Sequence, residues 1–224
     1  MQFNYFITGT DTNIGKTWAT VALMNYFKSQ GKTVAGMKPV ASGCELIDGK
    51  LVNADALLLQ EHASINLAYE AVNPYAYRLP ISLHLAGRDN PANFPYLQKQ
   101  YNQLKNQVDI VLVEGAGGWY SPVTVRQSNG DLANALGLPV LLIVGVRLGC
   151  INHALLTAKA IAADGATCAG WIANCLQPNE GFDVEVINLL KEQISAPCLG
   201  VLPYLPEQDF SQMLKSIDFI DVKG

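Results

Sequence analysis

The 224-residue sequence lacks features that would assign it to several classes of protein. Its five cysteines are scattered, odd in number and free of any CxxC pair, so neither a disulfide framework nor a zinc site is predicted. We interpret them as small buried hydrophobic residues. No run of like charge is present, and the formal net charge is −4, from 15 basic and 19 acidic side chains. Nucleic acid is therefore not expected as a partner.

Long apolar runs are also missing, and none approaches the length that spans a bilayer. The chain begins with a strand-like segment and has no basic stretch ahead of an apolar core. We therefore expect a cytoplasmic protein with no membrane partner. Half of the residues are hydrophobic, which suffices for a substantial core. Without an internal repeat or a linker, the sequence predicts a single domain over residues 1–224.

Short apolar runs bounded by turn residues predict strands that are buried on both faces, at 3–7, 34–37, 110–113, 140–144, 168–173 and 199–202. Segments with a helical period lie between them, at 18–27, 55–62, 96–104, 151–163 and 184–194. This alternation predicts an α/β fold, a doubly wound, mostly parallel sheet with helices on both faces. Residues 70–95 show no clear period, and we expect them to cover the sheet edge or to border the substrate.

The segment Gly-Thr-Asp-Thr-Asn-Ile-Gly-Lys-Thr at 9–17 follows the first predicted strand and precedes a helical pattern. Backbone N–H groups of such a loop bind nucleotide phosphates, while Lys16 adds a positive charge and Thr17 a hydroxyl for Mg²⁺. Five residues separate Gly9 from Gly15, one more than in the usual P-loop pattern. A tight turn ahead of a helix is the alternative, but it does not explain the lysine.

Ligands of parallel α/β sheets bind beyond the carboxyl ends of the strands, which draws attention to residues just after each apolar run. Lys38 would project into the crevice near the phosphates, unless it is a surface cation. Glu114 would orient Mg²⁺, with a solvated acid as the alternative, and Gly115 and Gly117 would allow close approach of a ligand. Asp55 could serve the same ion or could be an ordinary first-turn acid that stabilises a helix.

Several blocks of sequence, in order, resemble dethiobiotin synthetase: GTDTxIGKT at 9–17, KPVASG at 38–43, NxDA at 53–56, VNPY at 72–75, VEGAGGW at 113–119 and VxLGCINHA at 146–154. The resemblance continues through 170–174 and 202–205. It implies ATP-dependent closure of a cyclic urea in biotin biosynthesis. CO2 would add to one amine of 7,8-diaminononanoate as a carbamate, ATP would phosphorylate the carbamate, and the second amine would displace phosphate.

The resemblance also implies roles for residues that the pattern leaves open. Lys38, Lys16 and Thr12 would be catalytic, with Lys38 on the carbamate and Ser42 beside it. Mg²⁺ would be held by Thr17, Asp55 and Glu114. ATP would be bound by Asn13, Ile14, Gly15, Lys16, Thr17, Trp18, Asp55, Glu114, Gly115, Ala116, Gly117, Asn174, Cys175, Pro203, Tyr204 and Leu205.

A turn at 148–152 would bind the substrate carboxylate from the neighbouring subunit of a homodimer, as the resemblance implies. Its residues are Leu148, Gly149, Cys150, Ile151 and Asn152. Without the resemblance, Cys150 and Asn152 are typical of an ordinary helix start. The sequence departs from the family at Asn13, where members often carry Glu.

Two other functions are compatible with a phosphate loop. One is a nucleotide-driven switch of the partitioning-ATPase type, but those proteins carry a signature lysine early in the loop, where this chain has Asp11. The other is a related amide-forming synthetase acting on a different acid, because the shape of a pocket sets substrate choice and spacing does not show that shape. The histidines, His62, His84 and His153, lack any evident carboxylate or nucleophile pairing, and we interpret them as structural.

Overall fold

The computed structural model describes residues 4–178, 181–205 and 217. The strands in this part of the chain are β1 (Tyr5–Gly9), β2 (Val34–Met37), β3 (Val40–Ala41), β4 (Glu45–Ile47), β5 (Lys50–Val52), β6 (Tyr75–Ala76), β7 (Ile110–Gly118), β8 (Val140–Val146), β9 (Cys168–Cys175) and β10 (Cys198–Leu202). The helices there are α1 (Lys16–Ser29), α2 (Ala54–Glu61), α3 (Tyr69–Val72), α4 (Leu83–Ala86), α5 (Phe94–Lys105), α6 (Asn129–Leu136), α7 (Cys150–Ala163) and α8 (Asp183–Gln193).

A parallel sheet forms the centre of the fold, with the strand order β10-β9-β8-β1-β7-β2. All seven residues of β8 are buried, as expected for a strand covered by helices on both faces. Within the described residues, this arrangement confirms the predicted doubly wound α/β sheet and all six of its predicted strands. The five predicted helices correspond to α1, α2, α5, α7 and α8.

The register of three neighbouring strands places the polar residues at one edge of the sheet. β1 leads into the 9–17 loop and lies between β7 and β8. Met37 of β2 pairs with Val113 of β7, so Lys38 and Glu114 follow at the same level on adjacent strands. Ile7 of β1 pairs with Glu114 itself. The lysine and the loop at the carboxyl ends of β2 and β1 therefore meet the glutamate, which lies inside β7 because that strand continues to Gly118.

Helix α2 approaches β2 closely because position 36 has no side chain. A Cβ atom at Gly36 would lie 2.9 Å from the Cβ of Leu59, which is fully buried on α2. The contact fixes the depth of α2 against the sheet, and Asp55 stands in the first turn of that helix. Asn53 caps the helix, since its Oδ1 accepts from the N–H of Ala56 at 3.2 Å.

Segment 70–95 contains short elements that the sequence pattern did not predict. β6 pairs in parallel with β3, which follows Lys38, so this segment borders the loop after β2. Short α3 and α4 flank it. The antiparallel hairpin of β4 and β5 also went unpredicted, because its strands are three residues long and β4 is exposed throughout. No helix among the described residues has the length and apolar character to cross a membrane.

Candidate functional site

The 9–17 loop wraps the start of α1, and its backbone needs unusual torsion angles. Gly15 has φ of 77°, and a Cβ atom there would lie 2.2 Å from Nδ2 of Asn174. Asn13 also has a positive φ, 57°, which asparagine tolerates better than most residues. Asn174, at the end of β9, donates from Nδ2 to the carbonyl of Ile14 at 2.8 Å. The loop conformation thus depends on Gly15 and on a side chain from β9.

Lys16 lies over this loop and is buried. Its Nζ donates to the carbonyl of Asp11 at 2.7 Å. Burial lowers the pKa of Lys16 from about 10.5 to about 8, and the carboxylate of Glu114 opposes this shift without cancelling it. The ammonium of Lys16 is therefore close to its titration range near neutral pH.

Glu114 is fully buried, and both of its oxygens are engaged. Oε1 accepts from Thr17 Oγ1 at 2.8 Å and from Lys38 Nζ at 2.5 Å. Thr20 Oγ1 lies 2.9 Å from Oε2 and 2.8 Å from the carbonyl of Lys16. Sequence reasoning missed Thr20, although its spacing of three from Thr17 places both hydroxyls on one face of α1.

The ammonium group of Lys38 contacts both acidic candidates, Asp55 and Glu114. Its Nζ donates to Asp55 Oδ2 at 2.9 Å as well as to Glu114. Burial pushes the pKa of Lys38 down, but the two carboxylates outweigh it and the pKa is raised. For Asp55, burial acts upward, and Lys38 outweighs it, so the pKa of Asp55 is lowered. Lys38 is thus a buried cation and not a surface one, and Asp55 contacts more than its own helix.

The oxygen donors of Thr17, Asp55 and Glu114 converge on this cluster, and they are the ligand type that Mg²⁺ prefers. Mg²⁺ usually takes one or two protein carboxylates and completes its shell with water and phosphate oxygens. The donor set therefore fits Mg²⁺ bound together with a phosphate ligand.

A cleft of about 310 Å³ opens in front of these residues. Most of the predicted phosphate, metal and catalytic residues line it: Thr12, Asn13, Gly15, Lys16, Thr17, Trp18, Lys38, Ser42, Asp55, Glu114, Ala116 and Gly117. Gly115 lies beneath it, against Phe6 and Asn129. A larger groove, of about 710 Å³, lies at the opposite end of the sheet near Pro139, Thr167 and Pro197 and contains none of these residues.

The predicted adenine contacts lie on two adjacent strands. Asn174 and Cys175 end β9, and Leu202 of β10 pairs with Asn174. Pro203, Tyr204 and Leu205 follow directly, so they leave the sheet beside the loop end of β9. The structure brings these residues to the same edge of the sheet as the phosphate loop.

The 148–152 turn is not in the phosphate cleft of its own chain. Leu148 is fully exposed, Gly149 has φ of 90°, and Cys150 begins α7. Residues 148–151 line a separate cleft of about 330 Å³ together with Gln177 and Phe182. The guanidinium of Arg147 contacts the carboxylate of Asp11 and so links the base of the turn to the phosphate loop. Sequence reasoning missed this pair, because 136 positions separate its members.

Comparison with known proteins identifies the family. A protein-family model described as an AAA domain matches residues 4–212. ATP-dependent dethiobiotin synthetase BioD of Xanthomonas oryzae pv. oryzae (strain PXO99A) is 45% identical over 207 residues, 92% of each chain. The Pseudomonas aeruginosa PAO1 protein of the same name is 48% identical and covers 91% of this chain and 90% of its own. That of Vibrio parahaemolyticus serotype O3:K6 is 44% identical, with coverage of 96% and 95%.

Solved structures with the same fold are much more distant in sequence. The MinC:MinD cell division protein complex of Aquifex aeolicus aligns with a TM-score of 0.59 at 15% identity, covering 96% of this chain and 86% of that one. Signal recognition particle 54 kDa protein of Aeropyrum pernix K1, in complex with GDP, has a TM-score of 0.56 at 13% identity, with coverage of 94% and 42%. Together with the match to the AAA domain model, these likenesses confirm the P-loop NTPase type of fold. Because these relatives are 44–48% identical over nearly their full length, the chain belongs to the family of ATP-dependent dethiobiotin synthetases.

Proposed function

We propose that this enzyme closes the ureido ring of dethiobiotin from 7,8-diaminononanoate and CO2, with ATP and Mg²⁺ as cofactors, in biotin biosynthesis. The observation that carries the proposal is the position of Lys38. Its buried ammonium stands in the phosphate cleft, 2.5 Å from Glu114 and 2.9 Å from Asp55. A cation there suits a reaction in which one anion, the carbamate, attacks another, the terminal phosphate of ATP.

The phosphorylation step of the proposed reaction has residues in the cleft to support it. The backbone of 13–18 and Lys16 hold the phosphates, and Thr17, Asp55 and Glu114 hold the metal. Lys38 binds the carbamate, with Thr12 and Ser42 alongside, and lowers the repulsion between carbamate and phosphate. Bound Mg²⁺ supplies charge neutralisation on the phosphate oxygens. Since its two carboxylates raise the pKa of Lys38, the side chain retains its charge at neutral pH.

The adenine is proposed to bind where β9 and β10 end. Asn174 holds the loop through its Nδ2, and its Oδ1 would accept from an amino group of the base. Cys175 and the 203–205 segment supply the remaining contacts, while residues 115–117 border the phosphates. The base would then lie behind the phosphate loop, and the diamine would occupy the front of the cleft.

We further propose a homodimer of cytoplasmic single-domain subunits, with the substrate site at the interface. The 148–152 turn lines a cleft apart from Lys38 on its own chain, and Leu148 is fully exposed. The N–H groups at the start of a helix suit a carboxylate. A second copy can therefore present this turn to the diamine's carboxylate tail while the amines face Lys38.

The proposal is tested with the purified protein, ATP, Mg²⁺, bicarbonate and 7,8-diaminononanoate, with the product identified by mass spectrometry. Dethiobiotin should form in step with ADP and phosphate, and omission of the diamine should stop ATP consumption. Shorter diamines and single amines run in parallel define the substrate. ATP turnover that ignores the diamine would favour a switch ATPase, and product from another acid and amine would favour an amide-forming synthetase.

A further inference from the structure

Residues 72 and 73 contact the backbone of Lys38 from outside the phosphate cleft. We propose that Tyr69 and Asn73 are positioning residues that fix the placement of Lys38 relative to Asp55. Neither side chain lines the phosphate cleft. The proposal rests on the proposed function, because it concerns the geometry of two residues assigned to the reaction there.

Asn73 and its neighbour hold the backbone of Lys38 on both sides. The N–H of Lys38 donates to the carbonyl of Val72 at 2.8 Å. The carbonyl of Lys38 accepts from Asn73 Nδ2 at 2.6 Å. Asn73 is 2% exposed, and the same Nδ2 also donates to the carbonyl of Tyr75 at 3.2 Å. Residues 72–73 therefore fix the peptide from which the catalytic ammonium projects.

Tyr69 connects this peptide to the helix that carries Asp55. Its hydroxyl donates to Asn73 Oδ1 at 2.8 Å and accepts from the N–H of Asn53 at 2.7 Å. Asn53 is the N-cap of α2, two positions before Asp55. One phenol oxygen thus bridges the segment that holds Lys38 and the residue that starts the Asp55 helix.

The donors and acceptors of this network match one for one. Tyr69 gives its single hydrogen to Asn73 and takes one from Asn53, and Asn73 uses both its carbonyl and its amide group. Burial raises the pKa of Tyr69, so the phenol keeps the proton that it donates. Loss of the hydroxyl would remove both hydrogen bonds and leave the N–H of Asn53 and the Oδ1 of Asn73 without this partner. The ring would still fill its space.

Helix packing and the Tyr69 bond together set the position of Asp55. Ala56 and Leu59 of α2 are fully buried, and Leu59 meets Gly36 of β2, while the hydroxyl of Tyr69 accepts from the N–H of Asn53, two positions before Asp55. The Tyr69 bond therefore acts on the first turn of the helix. We therefore expect that its loss lets Asp55 and Lys38 drift apart while the fold persists. Residues that orient the reacting groups without contacting the substrate commonly change metal affinity or rate by about 10-fold or more when they are mutated.

The test compares Tyr69→Phe and Asn73→Ser with Tyr77→Phe as the matched control. The hydroxyl of Tyr77 donates to the carbonyl of Asn90 at 2.8 Å, so Tyr77→Phe removes one hydrogen bond of similar length that is not part of the network around Lys38. The readouts are kcat, thermal unfolding, and binding of a fluorescent ATP analogue titrated with and without Mg²⁺. The metal-free titration reports on the loop alone.

For Tyr69→Phe and Asn73→Ser, we expect kcat to fall about 10-fold and the Mg²⁺-dependent gain in nucleotide affinity to shrink by a similar factor. Metal-free affinity should stay at the wild-type value, and Tyr77→Phe should keep both kcat and the Mg²⁺ effect. A wild-type kcat and Mg²⁺ response in Tyr69→Phe would overturn the proposal, as would equal losses in Tyr77→Phe.

Lys38→Ala and Asp55→Asn are measured in the same series to separate two kinds of failure. If these variants turned over normally, the proposed function of Lys38 and Asp55 would be wrong. If they were inactive while Tyr69→Phe behaved like the wild type, only the positioning role would be wrong.

Discussion

Lys38 holds a buried charge between two carboxylates, and its removal should affect the reaction more than nucleotide binding. We expect Lys38→Ala to lower kcat by about 100-fold or more, because a cation needed mainly in the transition state is lost. ATP affinity should change little, since the phosphates rest on Lys16 and the loop backbone. Single-turnover assays and an ATP titration measure the two quantities, and the titration also verifies that the variant is folded.

The control for this variant is Lys50→Ala, which removes a lysine that pairs with Glu70 at 2.8 Å on the surface. Its turnover should match the wild type. A Lys38→Ala enzyme with unchanged kcat would contradict the assignment of Lys38 to the carbamate.

Thr17 is the residue whose hydroxyl should matter only when metal is present. Thr17→Val keeps the shape of the side chain and removes Oγ1, which lies 2.8 Å from Glu114. We expect ATP affinity in Mg²⁺ to fall roughly 10-fold and affinity in EDTA to stay constant. Isothermal titration in both buffers makes the comparison, with Thr124→Val as the control, because Thr124 is half-buried and does not line the phosphate cleft. Equal losses in both buffers would assign Thr17 to the loop and not to the metal.

The titration of Lys16 predicts a pH dependence of ATP binding. Because its pKa is lowered to about 8, the ammonium that faces the phosphates loses its proton as the pH rises through that value. Below it the charge is present and binding is strongest. Above it, ATP affinity should fall by up to about 10-fold per pH unit. Titrations from pH 7 to 10 should show this break in the wild type and a flat profile in Lys16→Gln; parallel profiles would contradict the assignment.

At the scale of single residues, the sequence predicted some members of the site but not the side chains that contact them. Lys16, Thr17, Lys38 and Glu114 were predictable, because each directly follows a predicted strand or a glycine loop, although β7 continues past Glu114 to Gly118. Their partners were not: Thr20 is an ordinary helix residue in the pattern, and the 72–75 block shows its contacts to Lys38 only after the chain has folded.

At the scale of secondary structure, burial explains which elements were predictable. The central strands read as apolar runs because helices cover both of their faces. The β4 and β5 hairpin and the short elements of 70–95 bury too little to leave a periodic signal. Helix α6 also went unpredicted, although Ser128 and Asp131 form a capping box at its start, a signal that was present in the sequence.

That capping box provides a test of stability away from the cleft. The hydroxyl of Ser128 accepts from the N–H of Asp131, and the Asp131 carboxylate accepts from the N–H of Ser128. Ser128→Ala should lower the free energy of unfolding by about 1 kcal/mol. Ser82→Ala is the matched control, because Ser82 also precedes a helix and its hydroxyl bonds the ring of His84 at 2.9 Å, not a backbone N–H of the helix. Urea denaturation compares the two, and equal losses would show that the box adds nothing.

At the scale of the whole molecule, the separation of the 148–152 turn from Lys38 bears on the oligomeric state. Within one chain, the turn lines a cleft other than the one that contains Lys38. The sequence alone does not tell whether the turn at a substrate site belongs to the same chain or to a second copy. The single domain over 1–224 and the dimer both remain predictions. The fold type was predictable from the alternation of strands and helices, whereas the meeting of two copies depends on surface shape.

A mixture of two inactive variants tests the shared site directly. Lys38→Ala disables the cleft of its own chain, and Asn152→Asp places a negative charge in the turn, where it repels the substrate carboxylate. In a symmetric dimer whose sites combine the cleft of one copy with the turn of the other, a mixed dimer contains one intact site. Random exchange of subunits should then restore about a quarter of the wild-type activity.

The control for subunit exchange mixes Lys38→Ala with Thr17→Val, two defects in the same cleft, and should recover nothing beyond the residual activities of its components. Size-exclusion chromatography with light scattering establishes the mass before and after mixing. If each chain used its own turn, every site in the Lys38→Ala and Asn152→Asp mixture would carry a defect and activity would stay low. Recovery in the first mixture alone therefore requires that the turn and the cleft of one site come from different subunits.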